Sequence, residues 1–179
     1  MKAEPTHNPI EEVILRDVIN SDIAALAQLH ATAWRQTYEP IFGKNYQYPT
    51  AELRKQQWEQ KLTSKSGNWF CIVAELKEGV IGFASGNDYT SSELPGFQGE
   101  LNKLYLLKAY QGYSIGKKLF MEACNRFLKN NITTMVTFTE AQNPVGKFFE
   151  HLGGEKIFTE QGSFHGTYGW FDLTSVIKL

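Results

Sequence analysis

Positions Ile23, Leu26, Ala27, Leu29, His30, Ala33 and Trp34 recur at helical spacing and share one face. Asn20, Ser21 and Asp22 precede them with side-chain oxygens suited to a helix N-terminus. Pro40 and Gly43 are expected to interrupt the helix. A second helix is predicted over 50–62, with Thr50 as cap and Leu53, Trp58 and Leu62 toward the core. Runs rich in apolar and β-branched residues predict strands over 13–16, 69–75, 80–85, 100–107 and 133–139. Lys77, Glu78 and Gly79 make the turn of a hairpin, and 88–98 reads as a loop. Helices are predicted over 114–130 and 143–152, the latter stopped by Gly153 and Gly154. Two closing strands are predicted over 156–159 and 168–173, with Gly162 and Ser163 in the turn between them.

Helices and strands are interleaved, so the fold class is α/β (α+β) around one sheet. Residues 12–179 read as a single domain behind a polar tail over 1–11. The length of 179 residues is enough to bury a core without disulfide staples. No internal repeat or low-complexity segment is visible.

The net charge of -1 gives no footprint for nucleic acid, and none is expected as a partner. No apolar run is long enough to span a membrane, and the first ten residues carry no apolar leader. Cys71 and Cys124 are far apart and read as free thiols, which fits a cytoplasmic location. No cluster has metal-ligand spacing, so no metal is expected.

The informative chemistry lies where a strand enters a glycine-containing loop and then a helix: Gln111, Gly112, Tyr113, Ser114, Ile115, Gly116, Lys117. A helix N-terminus approached by such a loop aims backbone N–H groups at one spot, which suits phosphate. The spacing fits neither a dinucleotide fingerprint, which needs G-x-G-x-x-G, nor a Walker loop, which needs four residues between its glycines.

Gln111 to Gly116 resembles instead the acetyl-CoA loop of the GNAT acetyltransferases, Q/R-x-x-G-x-G/A. Ser114 stands where that family usually has glycine. A later stretch, Asn143, Pro144, Val145, Gly146, Lys147, Phe148, Phe149, Glu150, His151, Leu152, Gly153, Gly154, resembles the family signature N-P-A-x-x-F-Y-E-x-L-G-G. His30, Trp34, Arg35 and Tyr38 fall in a segment similar to the first helix of many bacterial members. The resemblance covers about residues 12–173 and implies a mixed sheet of about six to seven strands flanked by about four helices.

The resemblance further implies an acetyl-CoA-dependent N-acetyltransferase. Its pantetheine arm would run beside the backbone of Tyr105, Leu106 and Leu107, and its pyrophosphate would sit on Gln111 to Gly116 with Lys117 nearby. Asn143 and Phe149 would complete the cofactor site. An amine would attack the thioester directly, and a backbone N–H would support the oxyanion. Glu100 is the candidate base. Relatives often place a tyrosine acid at the position of Phe149, which has no proton to give. Tyr168 is the candidate substitute, with Tyr105, Tyr113 and Ser163 as others. Cys124 is assigned to the core rather than to a nucleophile.

Trp34, Tyr38 and Asn102 are the candidate acceptor contacts; Phe42, Tyr46 and Tyr48 extend the aromatic group. A small-molecule amine is the expected acceptor. A peptide or protein amine, or an acyl-CoA sensor without turnover, are the alternatives; the chain would act as monomer or homodimer.

Overall fold

The computed structural model describes residues 12–178; the polar tail over 1–11 lies outside them. Seven strands form one sheet: β1 Ile14–Asp17, β2 Phe70–Leu76, β3 Gly79–Asp88, β4 Gly99–Leu106, β5 Met135–Phe138, β6 Glu155–Phe158 and β7 Phe164–Trp170. The helices are α1 Ile23–Phe42, α2 Ala51–Thr63, α3 Ile115–Lys129, α4 Val145–His151 and α5 Leu173–Val176. The sheet order is β1-β2-β3-β4-β5-β7-β6. Every pairing is antiparallel except β4 with β5, which is parallel.

Helices α1 and α2 cover one face. Leu26, Leu29 and Ala33 of α1 and Trp58 of α2 pack there on Val73 and Phe83. The opposite face is filled by α3, whose Ile115, Leu119, Phe120, Ala123 and Phe127 are fully buried. The i, i+4 and i+8 spacing of Ile115, Leu119 and Ala123 is the apolar stripe expected of such a helix. Cys71 and Cys124 are buried free thiols.

Several boundaries depart from the sequence reading. Pro40 does not interrupt α1, which continues to Phe42 and ends at Gly43. Proline forfeits one backbone bond, and the last turn closes when Gly43 N donates to Glu39 O at 2.9 Å. Thr50 caps α2 as expected, but Leu53 is exposed and only Trp58 is fully inside. The last strand ends at Trp170, because Asp172 accepts from Thr174 N and caps the unexpected short helix α5. No helix among the described residues is long and apolar enough to cross a membrane.

Candidate active site

The site begins as a defect in the sheet. β4 and β5 pair only at Gly99 with Met135 and at Glu100 with Val136. Thr137 Oγ1 then donates to Leu101 O at 2.7 Å, and beyond that no strand pairing joins the two. On its other side β4 stays bonded to β3, with Leu107 N donating to Ile81 O at 3.0 Å. The antiparallel alternation therefore turns the amides of Lys103 and Tyr105 toward β3. The N–H and C=O groups of Leu104 and Leu106 face the gap.

The gap opens into a cavity of about 890 Å³, lined by β4 from Asn102 to Leu106, the end of β5, the loop before α3 and the start of α4. That size suits a ligand larger than a typical metabolite fragment.

At one end of the cavity lies the N-terminus of α3. Gly112 has φ +87°, and a Cβ built on it would meet no atom within 4 Å. Ser114 has φ 60° and ψ 6°, the left-handed conformation that glycine adopts without penalty. The usual glycine at this position thus has a conformational cause, and the serine keeps the loop's shape at some cost. Gln111 Nε2 donates to Leu106 O at 3.0 Å, which ties the loop to the strand. Ser114, Gly116, Lys117, Gln111 and Gly112 all line the cavity. The first N–H groups of α3 have no intrahelical acceptors and form a ready site for phosphate. The loop and the gap together fit a coenzyme A molecule: phosphate at the helix end, amides along the strand.

At the other end, Asn143 is almost wholly buried. Its Oδ1 accepts from Val145 N, the first residue of α4, at 3.1 Å. Its Nδ2 donates to Thr139 Oγ1 at 2.8 Å and to Tyr38 Oη at 3.4 Å. Phe149 is buried and contributes a ring to the cavity wall.

The face of β4 toward α1 and α2 carries Lys103 and Tyr105 in the cavity wall. Burial and neighbouring Tyr38 hold the Tyr105 hydroxyl protonated, well above the usual phenol range. Burial lowers the ammonium pKa of Lys103, and Arg54 on α2 lowers it further. His30 packs between Trp58, Phe83 and Tyr105, and burial holds its pKa down to about 2, so it is neutral and structural. Glu100 accepts from Asn102 Nδ2 at 2.9 Å, and Lys103 Nζ donates to Asn102 Oδ1. Burial pushes the Cys71 and Cys124 thiols up to about 12, which suits neither to nucleophilic work.

Most of the residues expected from sequence converge on this cavity: Tyr38, Asn102, Tyr105, Leu106, Gln111, Gly112, Ser114, Gly116, Lys117, Asn143 and Phe149. Others do not line it. Ile115 is fully inside the core, Tyr113 packs at the core's margin, and Leu107 packs on the α1–α2 side. Trp34 does not line the cavity; it stacks on Tyr46, meets Tyr48 edge-on and packs at a tilt against Tyr38 and Phe42. Glu100 reaches the cavity through Asn102. Tyr168 is turned away: it is buried behind Phe149, and its hydroxyl donates to Glu150 Oε1 at 3.3 Å. Residues 168 and 149 sit on a strand and a helix that pack together, so a phenol at 168 does not substitute spatially for one at 149. Lys103 and Leu104 were missed; a lysine inside a strand run carries no sequence signal for burial.

Residues 26–153 match the Acetyltransferase (GNAT) family. The uncharacterized N-acetyltransferase YuaI of Bacillus subtilis (strain 168) is 28% identical over 173 residues, covering 93% of this chain and 98% of its own. A PaiA N-acetyltransferase from Thermoplasma acidophilum, solved in complex with coenzyme A, superposes with a TM-score of 0.66 at 21% identity, over 88% of this chain and 97% of that one. YncA from Salmonella typhimurium, solved with acetyl-CoA, gives a TM-score of 0.62 at 17% identity, over 90% and 94%. The split between β4 and β5, the glycine loop at α3 and the family match agree, and the chain belongs to the GNAT family of acetyl-CoA-dependent acetyltransferases.

Proposed function

We propose that the protein transfers an acetyl group from acetyl-CoA to a primary amine by direct attack within a ternary complex, and that the acceptor is a small molecule. The observation that carries this reading is the run of backbone groups at Leu104 and Leu106 left facing the cavity, continuous with the open helix end at Gly112 to Gly116. When bound, acetyl-CoA supplies the thioester that serves as acyl donor.

The chain's own residues then divide the work. The N-terminus of α3 and Lys117 hold the pyrophosphate. Leu104 and Leu106 hold the pantetheine amides, which places the interaction on alternate strand residues; Tyr105 between them and Leu107 beyond them turn side chains toward α1 and α2. A backbone N–H in this run supports negative charge on the thioester oxygen. Glu100 takes the proton of the attacking amine through Asn102-bound water; the C–N bond forms, the C–S bond breaks, and the leaving thiolate is protonated. Tyr38, whose hydroxyl sits with Thr139 and Asn143 at the end of the gap, replaces Tyr168 as the phenol placed to donate that proton. A bacterial cytoplasm is the expected setting, given two buried free thiols and a bacterial relative.

An acyl-CoA sensor is the second reading, favoured by Phe149 and by the withdrawal of Tyr168 from the cavity. Thiol release from acetyl-CoA in the presence of amines separates the two. Glu100→Gln should lower kcat by about 10²-fold or more while the affinity for acetyl-CoA changes less than about twofold. Unaltered turnover across pH in that variant would remove Glu100 as the base.

A further inference from the structure

Strands β4 and β5 part at a defined point, and a side chain closes it. The last backbone pairing between them is Glu100 with Val136. One residue further in the same parallel register, the Thr137 hydroxyl donates to Leu101 O at 2.7 Å, in place of a main-chain N–H. β4 bends away there because Asn102 is the extra residue of a bulge. Lys103 pairs with Ser85 and Leu101 with Gly86, which leaves Asn102 unmatched on β3. The Thr137–Leu101 bridge is therefore the vertex of the gap.

Thr137 lines the cavity yet is only 5% exposed, so it serves as a floor rather than a projecting wall. Met135, two residues back on the same face, and Tyr168, its register partner on β7, are both buried. Two residues on, Thr139 is held as well. Its Oγ1 accepts from Asn143 Nδ2 at 2.8 Å and lies 3.4 Å from Tyr38 Oη. The floor is thus tied to β4 and backed by packed core, and such an interior yields little to an added methylene.

The position of this floor bears on the acyl donor. Leu106 and Leu104 stand about 7 Å apart along β4, and they are the residues proposed to hold the pantetheine amides. Continued in the same direction, the arm brings its thioester level with Asn102 and Leu101, and the acyl group meets Thr137. We infer that Thr137 is a specificity-determining residue that sets the acyl length of the donor. Its bridge to Leu101 ends the gap just past the thioester, so an acetyl group fits and a butyryl group does not. The inference rests on the acetyltransferase reading and deepens it. Thr137 selects by excluded volume and takes no part in the proton transfers.

The test is calorimetry of the full chain with coenzyme A, acetyl-CoA, propionyl-CoA and butyryl-CoA, which needs no acceptor. Acetyl-CoA should bind within about threefold of coenzyme A, and butyryl-CoA at least about tenfold more weakly than acetyl-CoA, with propionyl-CoA between. Thr137→Ala removes the bridge; it should bring butyryl-CoA to within about threefold of acetyl-CoA while coenzyme A affinity stays within about twofold. Thr137→Ser keeps the hydroxyl and should keep most of the discrimination. The same order should appear in kcat/KM with any amine that supports thiol release. Butyryl-CoA bound by the wild type as tightly as acetyl-CoA would overturn the inference, whatever the variants do. So would undiminished discrimination in a Thr137→Ala protein that still binds coenzyme A, or a Thr137→Ser protein that behaves like Thr137→Ala. Thermal unfolding checks each variant; if Thr137→Ala does not fold, the wild-type and Thr137→Ser measurements decide. A wild-type protein that binds neither coenzyme A nor acetyl-CoA would instead defeat the acetyltransferase reading, and the inference with it.

Discussion

Gly116 offers a clean separation between folding and cofactor binding. It lies in the first turn of α3 and lines the cavity. Its φ is not positive, and a Cβ placed there would come no nearer than 3.8 Å to Phe148. Gly116→Ala should therefore fold and gain about 0.5–1 kcal/mol, the usual difference between the two residues in a helix. Gly116→Glu should fold equally well, because a carboxylate in the first turn complements the helix dipole by about 0.3–1 kcal/mol. For coenzyme A the same carboxylate is adverse. One negative charge about 5 Å from another, at an effective dielectric near 20, costs about 3 kcal/mol. That is a loss of roughly 100-fold in affinity, more if both phosphates are felt. Calorimetry with coenzyme A reads the loss, and thermal unfolding confirms the fold. Pantetheine, which lacks the pyrophosphate, is the control and should bind both proteins alike. A Gly116→Glu protein that melts like the wild type and binds coenzyme A within about threefold would refute the placement of phosphate at this helix end.

Three further outcomes are expected. Ser114→Gly should relieve a left-handed serine, a gain of about 1–2 kcal/mol offset by about 0.4–1 from the freer unfolded chain, and should tighten rather than weaken coenzyme A binding; a destabilised variant on urea denaturation would contradict this. Tyr38→Phe should reduce kcat with little change in acetyl-CoA affinity, and an unchanged kcat would take the proton-donor role from it. Hydrogen bonds from Arg16 hold the Asp22 carboxyl below its ordinary pKa, so its stabilisation is full above about pH 4 and lost as pH falls through the depressed folded value. Asp22→Asn should cost about 1.5–3 kcal/mol at neutral pH, with the gap to wild type closing in acid; a gap independent of pH would count against the linkage.

Those parts of the site that depend on local chain geometry were readable in the sequence. Gly112 and the asparagine–proline pair at 143–144 specify backbone shapes: Gly112 takes φ +87°, and Asn143 Oδ1 accepts from Val145 N at the start of α4. What depends on packing was not. Pro40 is tolerated because only the end of α1 follows it, and Leu53 is exposed because α2 turns a narrow face inward around Trp58. Tyr168 carries a hydroxyl, but β7 directs it toward Glu150 rather than the cavity. Lys103 lines the cavity, and nothing short of the packed sheet could show a lysine of this strand half-buried there. Glu100, the candidate base, does not itself line the cavity; a hydrogen bond from Asn102 Nδ2 joins it to the wall.

The most direct measurement is a calorimetric titration of the protein with acetyl-CoA, followed by thiol release across a panel of amines. Saturable binding at one site per chain, with thiol released only when a suitable amine is present, is the result expected of the account. An absence of binding would contradict the assignment of the β4–β5 gap and the α3 loop to the acyl donor, and binding without release from any amine would make the protein a sensor.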